Sequence, residues 1–176
     1  MKFGNLEFVP LENSLNLVAE PVKMSLKQSN LLSSVLVAEI DPQLADTAAF
    51  CEAYDTKMED CANCVVLEAR RANKTWYAVC LILASTKADI NSTIRRHLNA
   101  SRVSFAPMDK AVSLTSMEYG GIAPIGRPSD WPLLVDNLVA DSQNVIIGSG
   151  IRKSKLLLPG KIFSSIPNTT VMSIIK

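Results

Sequence analysis

Asn63–Leu83 reads NCVVLEARRANKTWYAVCLIL. Two runs rich in Val, Leu, Ile and aromatic residues, Asn63 to Arg70 and Trp76 to Leu83, flank the polar stretch Arg71-Ala72-Asn73-Lys74-Thr75. β-branched and aromatic side chains suit a pleated, half-buried surface, and a polar tip between two such runs predicts a hairpin. Working outward, Val35 to Ile40 alternates as a strand and stops at Asp41-Pro42. Asp41 can cap a helix whose first position Pro42 fills, since the N–H that proline lacks would go unpaired there. Leu44, Ala48 and Cys51 mark the buried face of that helix, which runs to about Tyr54. On the other side, Asp89 caps a helix with Ile90, Ile94 and Leu98 inward and Arg95 and Arg96 outward. A strand at Arg102 to Phe105 and a helix from Pro107 to Leu114 follow. Further strands are expected at Leu133 to Asp136, Asn144 to Gly148, Leu156 to Leu158 and near Val171 to Ile174. A turn at Pro159-Gly160 and a short helix precede the last of them. The pattern is that of a mixed α+β domain over residues 31–176. Residues 1–30 read as a helical extension packed on it, with Leu15, Val18, Val22 and Leu26 near helical spacing and Pro21 at a start or kink.

The chain has 176 residues, 18 of them cationic and 17 anionic, for a formal net charge of +1. That length fits one domain, and with 48% apolar residues it supports a core without disulfides or a structural metal. Disorder is excluded, because low hydrophobicity and high net charge are both missing. No stretch reaches the ~18 uncharged apolar residues of a membrane span, so no membrane partner is expected. The opening MKFGNLEFVPLENS lacks the apolar run of a signal peptide, so the cytoplasm is the expected compartment. The near-zero charge also argues against a general nucleic-acid coat and for local contacts, with Arg95, Arg96, Arg127, Arg152 and Lys153 as candidates. A shallow salt dependence is the corollary.

Four cysteines, Cys51, Cys61, Cys64 and Cys80, include one C-x-x-C pair. Redox chemistry places that motif at a helix start, but Cys64 opens CVVLEA, a strand. Zinc would need two more ligands, and His97, the single histidine, lies in the outward stretch Arg95-Arg96-His97. Small buried thiols are the expected state, and a surface position is expected for His97.

Residues 115–132, TSMEYGGIAPIGRPSDWP, hold three glycines and three prolines in 18 positions. Such punctuation predicts a long structured loop. Gly120 and Gly121 let a ligand approach the main chain and Pro124 stiffens the far side, an arrangement that presents fixed peptide groups. A plain tight turn fits the same residues. Gly148–Lys155 follows an apolar strand, and its glycines with Arg152, Lys153 and Lys155 suit either a phosphate or a solvated basic turn. It is neither a P-loop nor a dinucleotide fingerprint. No nucleophile–base pair and no paired carboxylates stand out.

In chain order come Thr115, then Gly120-Gly121-Ile122-Ala123-Pro124-Ile125-Gly126, then Pro132-Leu133-Leu134-Val135-Asp136, then Ile147-Gly148-Ser149-Gly150-Ile151-Arg152. This series resembles the YbaK/ProX family of aminoacyl-tRNA deacylases, relatives of the editing domain inserted in bacterial prolyl-tRNA synthetases. The resemblance implies a mixed, barrel-like β-sheet wrapped by helices. It further implies hydrolysis of the ester linking a wrongly attached amino acid to the 3′ end of a tRNA, without metal or cofactor and with a synthetase as a further partner. It assigns the reaction to Asn63, Gly120, Gly121, Ile122, Ala123 and Pro124, and substrate contacts to Thr115, Tyr119, Asp136, Gly148, Ser149, Gly150 and Arg152. Where the family carries a lysine at the start of the first hairpin strand, this chain has Asn63. The residue can hydrogen-bond but brings no charge, so another cation such as Lys87 or Arg152 would have to reach the site. Ala123 stands where relatives often have serine. Two other readings fit the residues: a binding module for aminoacyl-tRNA ends or a nucleotide-like ligand that has lost turnover, and a thiol protein using Cys61 and Cys64.

Overall fold

A computed structural model describes residues 1–176. Its strands are β1 (Lys2–Phe3), β2 (Leu6–Glu7), β3 (Val9–Pro10), β4 (Leu36–Glu39), β5 (Ala62–Arg71), β6 (Lys74–Leu83), β7 (Arg102–Phe105), β8 (Leu133–Asp136), β9 (Val145–Gly148), β10 (Ser154–Leu158) and β11 (Thr169–Met172). Between them lie the helices α1 (Glu20–Gln28), α2 (Thr47–Tyr54), α3 (Arg95–His97), α4 (Met108–Thr115) and α5 (Asn137–Ala140).

The quoted hairpin is the longest feature. β5 pairs with β6 from Ala62 opposite Leu83 to Arg71 opposite Lys74, so only Ala72 and Asn73 make the turn. Alternation along it separates two cores. Val66, Val79 and Leu81 face one apolar cluster, whereas Leu67, Ala69, Cys80 and Ile82 face another. The five-stranded sheet runs β11-β8-β6-β5-β7, with β8 parallel to both β6 and β11. A second sheet runs β3-β4-β10-β9 and is antiparallel throughout. Val37, Val145, Ile147, Leu156 and Leu158 from it join the face of Val79 and Leu81, sealed by Val22 and Leu26 of α1.

The two sheets touch at one corner, where Cys61 bridges Ile146. The expected barrel is therefore not closed. β3, β7 and β11 end their sheets without a further partner, so the architecture is two larger sheets around a shared core, with β1 and β2 forming a separate two-stranded antiparallel sheet.

Local chemistry accounts for the other departures. The helix expected from Pro42 to Tyr54 is two pieces, because a second cap intervenes. Asp41 accepts from the Gln43 N–H at 2.9 Å to start a single turn, and Asp46 accepts from the Ala48 N–H at 3.1 Å to start α2. The inward side chains of α2 are Phe50 and Cys51, while Ala48 is exposed. Residues 1–10 carry the short strands β1, β2 and β3 rather than helix, and α1 follows with Pro21 in its first turn. The helix after Asp89 opens with a wide turn in which the Ile94 N–H reaches the Asp89 carbonyl at 3.1 Å. Ile94 is fully buried there, as its spacing predicts.

Candidate functional site

The two glycine-bearing segments come together. Gly150 donates its N–H to the Gly121 carbonyl at 2.7 Å, and Glu118 donates its own to the Gly150 carbonyl at 2.9 Å. The Gly121 N–H closes a turn onto the Glu118 carbonyl at 3.0 Å. Two residues on, the Ala123 N–H rests on the Met117 sulfur at 3.3 Å. These bonds sort the loop's peptide groups. Every peptide here is trans, so the C=O of one residue and the N–H of the next point in opposite directions. With the Gly121 carbonyl held by Gly150, the Ile122 N–H must face away from Gly150. With the Ala123 N–H held by the Met117 sulfur, the Ile122 carbonyl faces away from that sulfur, on the Gly148 side. No protein group pairs with the N–H of Gly120 or of Ile122.

Close approach makes this possible. A Cβ on Gly121 would lie 2.6 Å from the Ile151 carbonyl, and one on Gly148 would lie 2.6 Å from the Gly121 oxygen and 2.8 Å from that of Ile122. Gly120 has φ +77°, a left-handed value that favours glycine. Arg152 straps the outside, donating Nη1 to the Tyr119 carbonyl and Nε to the Pro42 carbonyl, both at 3.0 Å, while its N–H bonds the Glu118 carboxylate at 2.6 Å. The 148–152 turn thus engages its own donors in holding the 120–124 loop.

Gly120 and Ile122 open onto a cleft of about 690 Å³. The opposite wall is the start of β5 with α2, and the apolar side is closed by Val66, Ala106 and Ala111. Asn63 lines it, and its side-chain oxygen accepts from the Thr47 hydroxyl at 2.8 Å, which turns the amide NH₂ into the remaining donor. Tyr119, Gly148 and Arg152 complete the expected residues that border the cleft. Gly121, Ala123 and Pro124 are buried immediately behind it. Four expected residues lie elsewhere. Thr115 is buried with its hydroxyl on the Ala111 carbonyl at 2.6 Å. Asp136 is 1% exposed, capping α5 through the Leu138 N–H at 3.0 Å and accepting from the Ile174 N–H at 2.9 Å. Ser149 pairs with Ser154 at 2.7 Å between hydroxyls, and Gly150 backs against Ala19.

Lys155 is the cation that reaches the cleft, alongside Arg152. It is no part of a solvated turn: it is buried on β10, with Nζ donating to the Ala45 carbonyl at 2.8 Å and standing 5.3 Å from the centre of the Phe50 ring. Burial pushes its ammonium below the ordinary lysine range, against the opposing pull of Cys61 and Asp46. Its sequence signal is a lysine inside SKLLL, a strand buried along its whole length. Thr47 carries no comparable signal. Lys87 is exposed and does not border the cleft. Arg127 is engaged elsewhere, with Nε on the Trp131 carbonyl at 2.9 Å and Nη2 on those of Pro167 and Asn168 at 2.8 and 3.1 Å.

The C-x-x-C thiols diverge. Their odd separation in extended chain puts Cys61 and Cys64 on opposite faces, and they join different apolar clusters. Cys61 instead meets Cys51, with the sulfurs 3.7 Å apart. Burial, reinforced by Cys51, pushes Cys61 up to about 12; burial alone takes Cys80 to about 12, and burial reinforced by Cys80 raises Cys64. All four cysteines are free, and His97 is exposed. No helix is long and apolar enough to cross a membrane.

The fold is found in solved structures. A candidate trans-editing enzyme for prolyl-tRNA synthetase superposes with a TM-score of 0.74 at 14% identity, over 89% of this chain and 95% of that one. A hypothetical protein, APE2540, gives 0.77 at 17% identity, over 89% of this chain and 100% of its own. A candidate signal transduction protein from Marinobacter aquaeolei VT8 gives 0.61 at 13% identity, over 90% of this chain but 31% of that larger one. Among curated proteins no sequence matches this chain. The family model for the aminoacyl-tRNA editing domain matches residues 41–163, which takes in α2, the hairpin, the 120–124 loop and the glycine turn. On that match, the chain belongs to the aminoacyl-tRNA editing domain family.

Proposed function

We propose that this protein is a free-standing editing hydrolase that cleaves the ester between a wrongly attached amino acid and the 3′ end of a tRNA. The observation that carries the reading is the Ile122 N–H, left without a protein partner when Gly150 takes the Gly121 carbonyl, on a residue that lines the same cleft as Asn63. The aminoacyl carbonyl takes hydrogen bonds from the Ile122 and Gly120 N–H groups, which do not reorganise as negative charge develops on oxygen. The Asn63 amide NH₂ contacts the terminal ribose, and Lys155 supplies the positive field that Asn63 lacks. Water adds to the ester carbon, the bond to the ribose 3′ oxygen breaks, and the proton lost by water ends on that oxygen. The products are the free amino acid and the tRNA hydroxyl. An aminoacyl ester is already activated, so positioning with oxyanion stabilisation suffices without a nucleophile–base pair. Val66, Ala106 and Ala111 make the wall that sorts acyl side chains by size. A second hydrolytic sieve is needed because one methylene changes binding by only about 1–3 kcal/mol.

A panel of misacylated tRNAs, followed for loss of the labelled amino acid, tests this. Turnover of at least one ester that is abolished in Gly121→Val and retained in Cys61→Ala and Cys64→Ala is the expected result. Tight binding of every acylated tRNA with no ester loss would replace the hydrolase by a binding module.

A further inference from the structure

The far end of the hairpin carries charge that the cleft does not use. Residues 68–74 and 95–104 hold six cations, Arg70, Arg71, Lys74, Arg95, Arg96 and Arg102, against one carboxylate, Glu68, in a chain of net charge +1. Strand register sets two like-charged pairs directly opposite each other, Arg70 with Arg102 and Arg71 with Lys74. Such pairs destabilise a sheet. Glu68 relieves only Arg70, which it meets at 2.5 Å; its other oxygen accepts from the Tyr77 hydroxyl at 3.2 Å. Arg71, Arg95 and Arg96 share a recess of about 310 Å³ with Asn99, Ala100 and Ser101, and no carboxylate lines it. Each guanidinium is anchored along one edge only. Arg71 donates Nη1 to Asn99, through the side-chain oxygen and, at 3.1 Å, the carbonyl. Arg95 donates Nε to the Asn91 carbonyl at 2.8 Å, and Arg96 donates Nε to that of Ser92 at 3.4 Å. A guanidinium has five N–H donors in a planar fork, so the free edges remain for an anion and match phosphate oxygens.

We infer that this recess is a second RNA contact, in which Arg71, Arg95 and Arg96 grip backbone phosphates of the same tRNA whose acylated end enters the cleft. The inference rests on the proposed function for the identity of the RNA. Asn63 and Arg71 stand at opposite ends of β5, eight residues apart, or about 26 Å at ~3.3 Å per residue. One polyanion must span that distance, so the recess reads the double-helical part of the substrate by its phosphates, as proteins read A-form RNA. The cleft supplies selectivity for the ester; the recess supplies affinity.

The test is equilibrium binding of unacylated full-length tRNA to the whole chain across a salt titration. The proteins compared are the wild type, the Arg71→Gln/Arg95→Gln/Arg96→Gln variant and the corresponding triple lysine variant. Loss of three phosphate contacts should flatten the slope of log K against log salt by about two to three and weaken low-salt binding more than tenfold. The lysine variant should keep most of the slope, and each of the three proteins should unfold in a single cooperative thermal transition. Unchanged slope and affinity in the glutamine variant would overturn the inference. Ester hydrolysis separates the two readings. If the glutamine variant loses tRNA affinity and no ester is ever cleaved, the recess stands and the hydrolase fails. If full-length acylated tRNA and a short 3′-terminal acylated fragment are cleaved equally well by wild type and variant, the hydrolase stands and the recess fails.

Discussion

Two short glycine segments meet at the cleft and use their peptide groups in opposite ways. In Gly148–Arg152 the N–H groups of Gly150 and Arg152 are engaged by Gly121 and Glu118, and the Arg152 side chain is engaged by two more carbonyls. In Gly120–Ala123 the bonds alternate, so that Gly121 and Ala123 are held inward while the N–H groups of Gly120 and Ile122 carry no protein partner. Glycine serves close packing in the first segment and presentation in the second. The difference teaches that a Gly-rich stretch is a binding surface only where something else holds its neighbours.

Substitutions at the contact should break that division of labour, beginning with the severest. Gly121→Val drives a Cβ into the Ile151 backbone at 2.6 Å. A loop displaced by an ångström should lower the ester hydrolysis rate by about 100-fold or more. Overpacking at that position should cost ~1–3 kcal/mol in denaturant unfolding. Gly148→Ala meets the Gly121 and Ile122 oxygens instead, at 2.6 and 2.8 Å. It should reduce hydrolysis by about tenfold or more, because it moves the same peptide groups from the other side. Thr47→Val removes the hydroxyl that orients Asn63. Turnover should fall several-fold, with a stability change of about 1 kcal/mol, the ordinary net worth of one hydrogen bond.

The smallest effects belong to the thiols, which lie outside this division. Cys61→Ala and Cys64→Ala should leave turnover within about twofold, and native Cys61 and Cys80 should resist alkylation at pH 8. An unfolded thiol ionises near 8.5, whereas Cys61 and Cys80 are held at about 12. Between those values the unfolded chain binds fewer protons than the folded one, so stability should fall as pH rises from about 9. A pH series of denaturant unfolding reads that slope directly, and replacing Cys80 with alanine should flatten it.

Much of the architecture follows from local pattern. The hairpin, the caps at Asp41 and Asp89 and the strands at Leu133 and Val145 can all be read from periodicity and turn residues. Asp46 is harder, because two capping residues five positions apart compete for one helix start. Failure to close a barrel was hidden for a different reason: sheet edges depend on which strands meet, and alternation reports only which face is buried. The place of the cleft was partly readable. Gly120 and Ile122, which the glycine-proline loop singles out, border it, while Asp136 is engaged as a cap, a role that its place before Asn137-Leu138 already allows. Thr47 and Lys155 come from α2 and β10 to meet the start of β5. Nothing in the spacing of residues 47, 63 and 155 encodes that meeting.

The proposed hydrolysis depends on the Gly120 and Ile122 amides. Backbone amide NMR of the ¹⁵N-labelled protein, titrated with a non-hydrolysable 3′-aminoacylamino adenosine, reads them individually. The predicted result is a saturable downfield shift of the Gly120 and Ile122 N–H resonances with those of Gly150 and Ala123 nearly still. Binding that shifts other cleft residues and leaves both of those amides unmoved would contradict it.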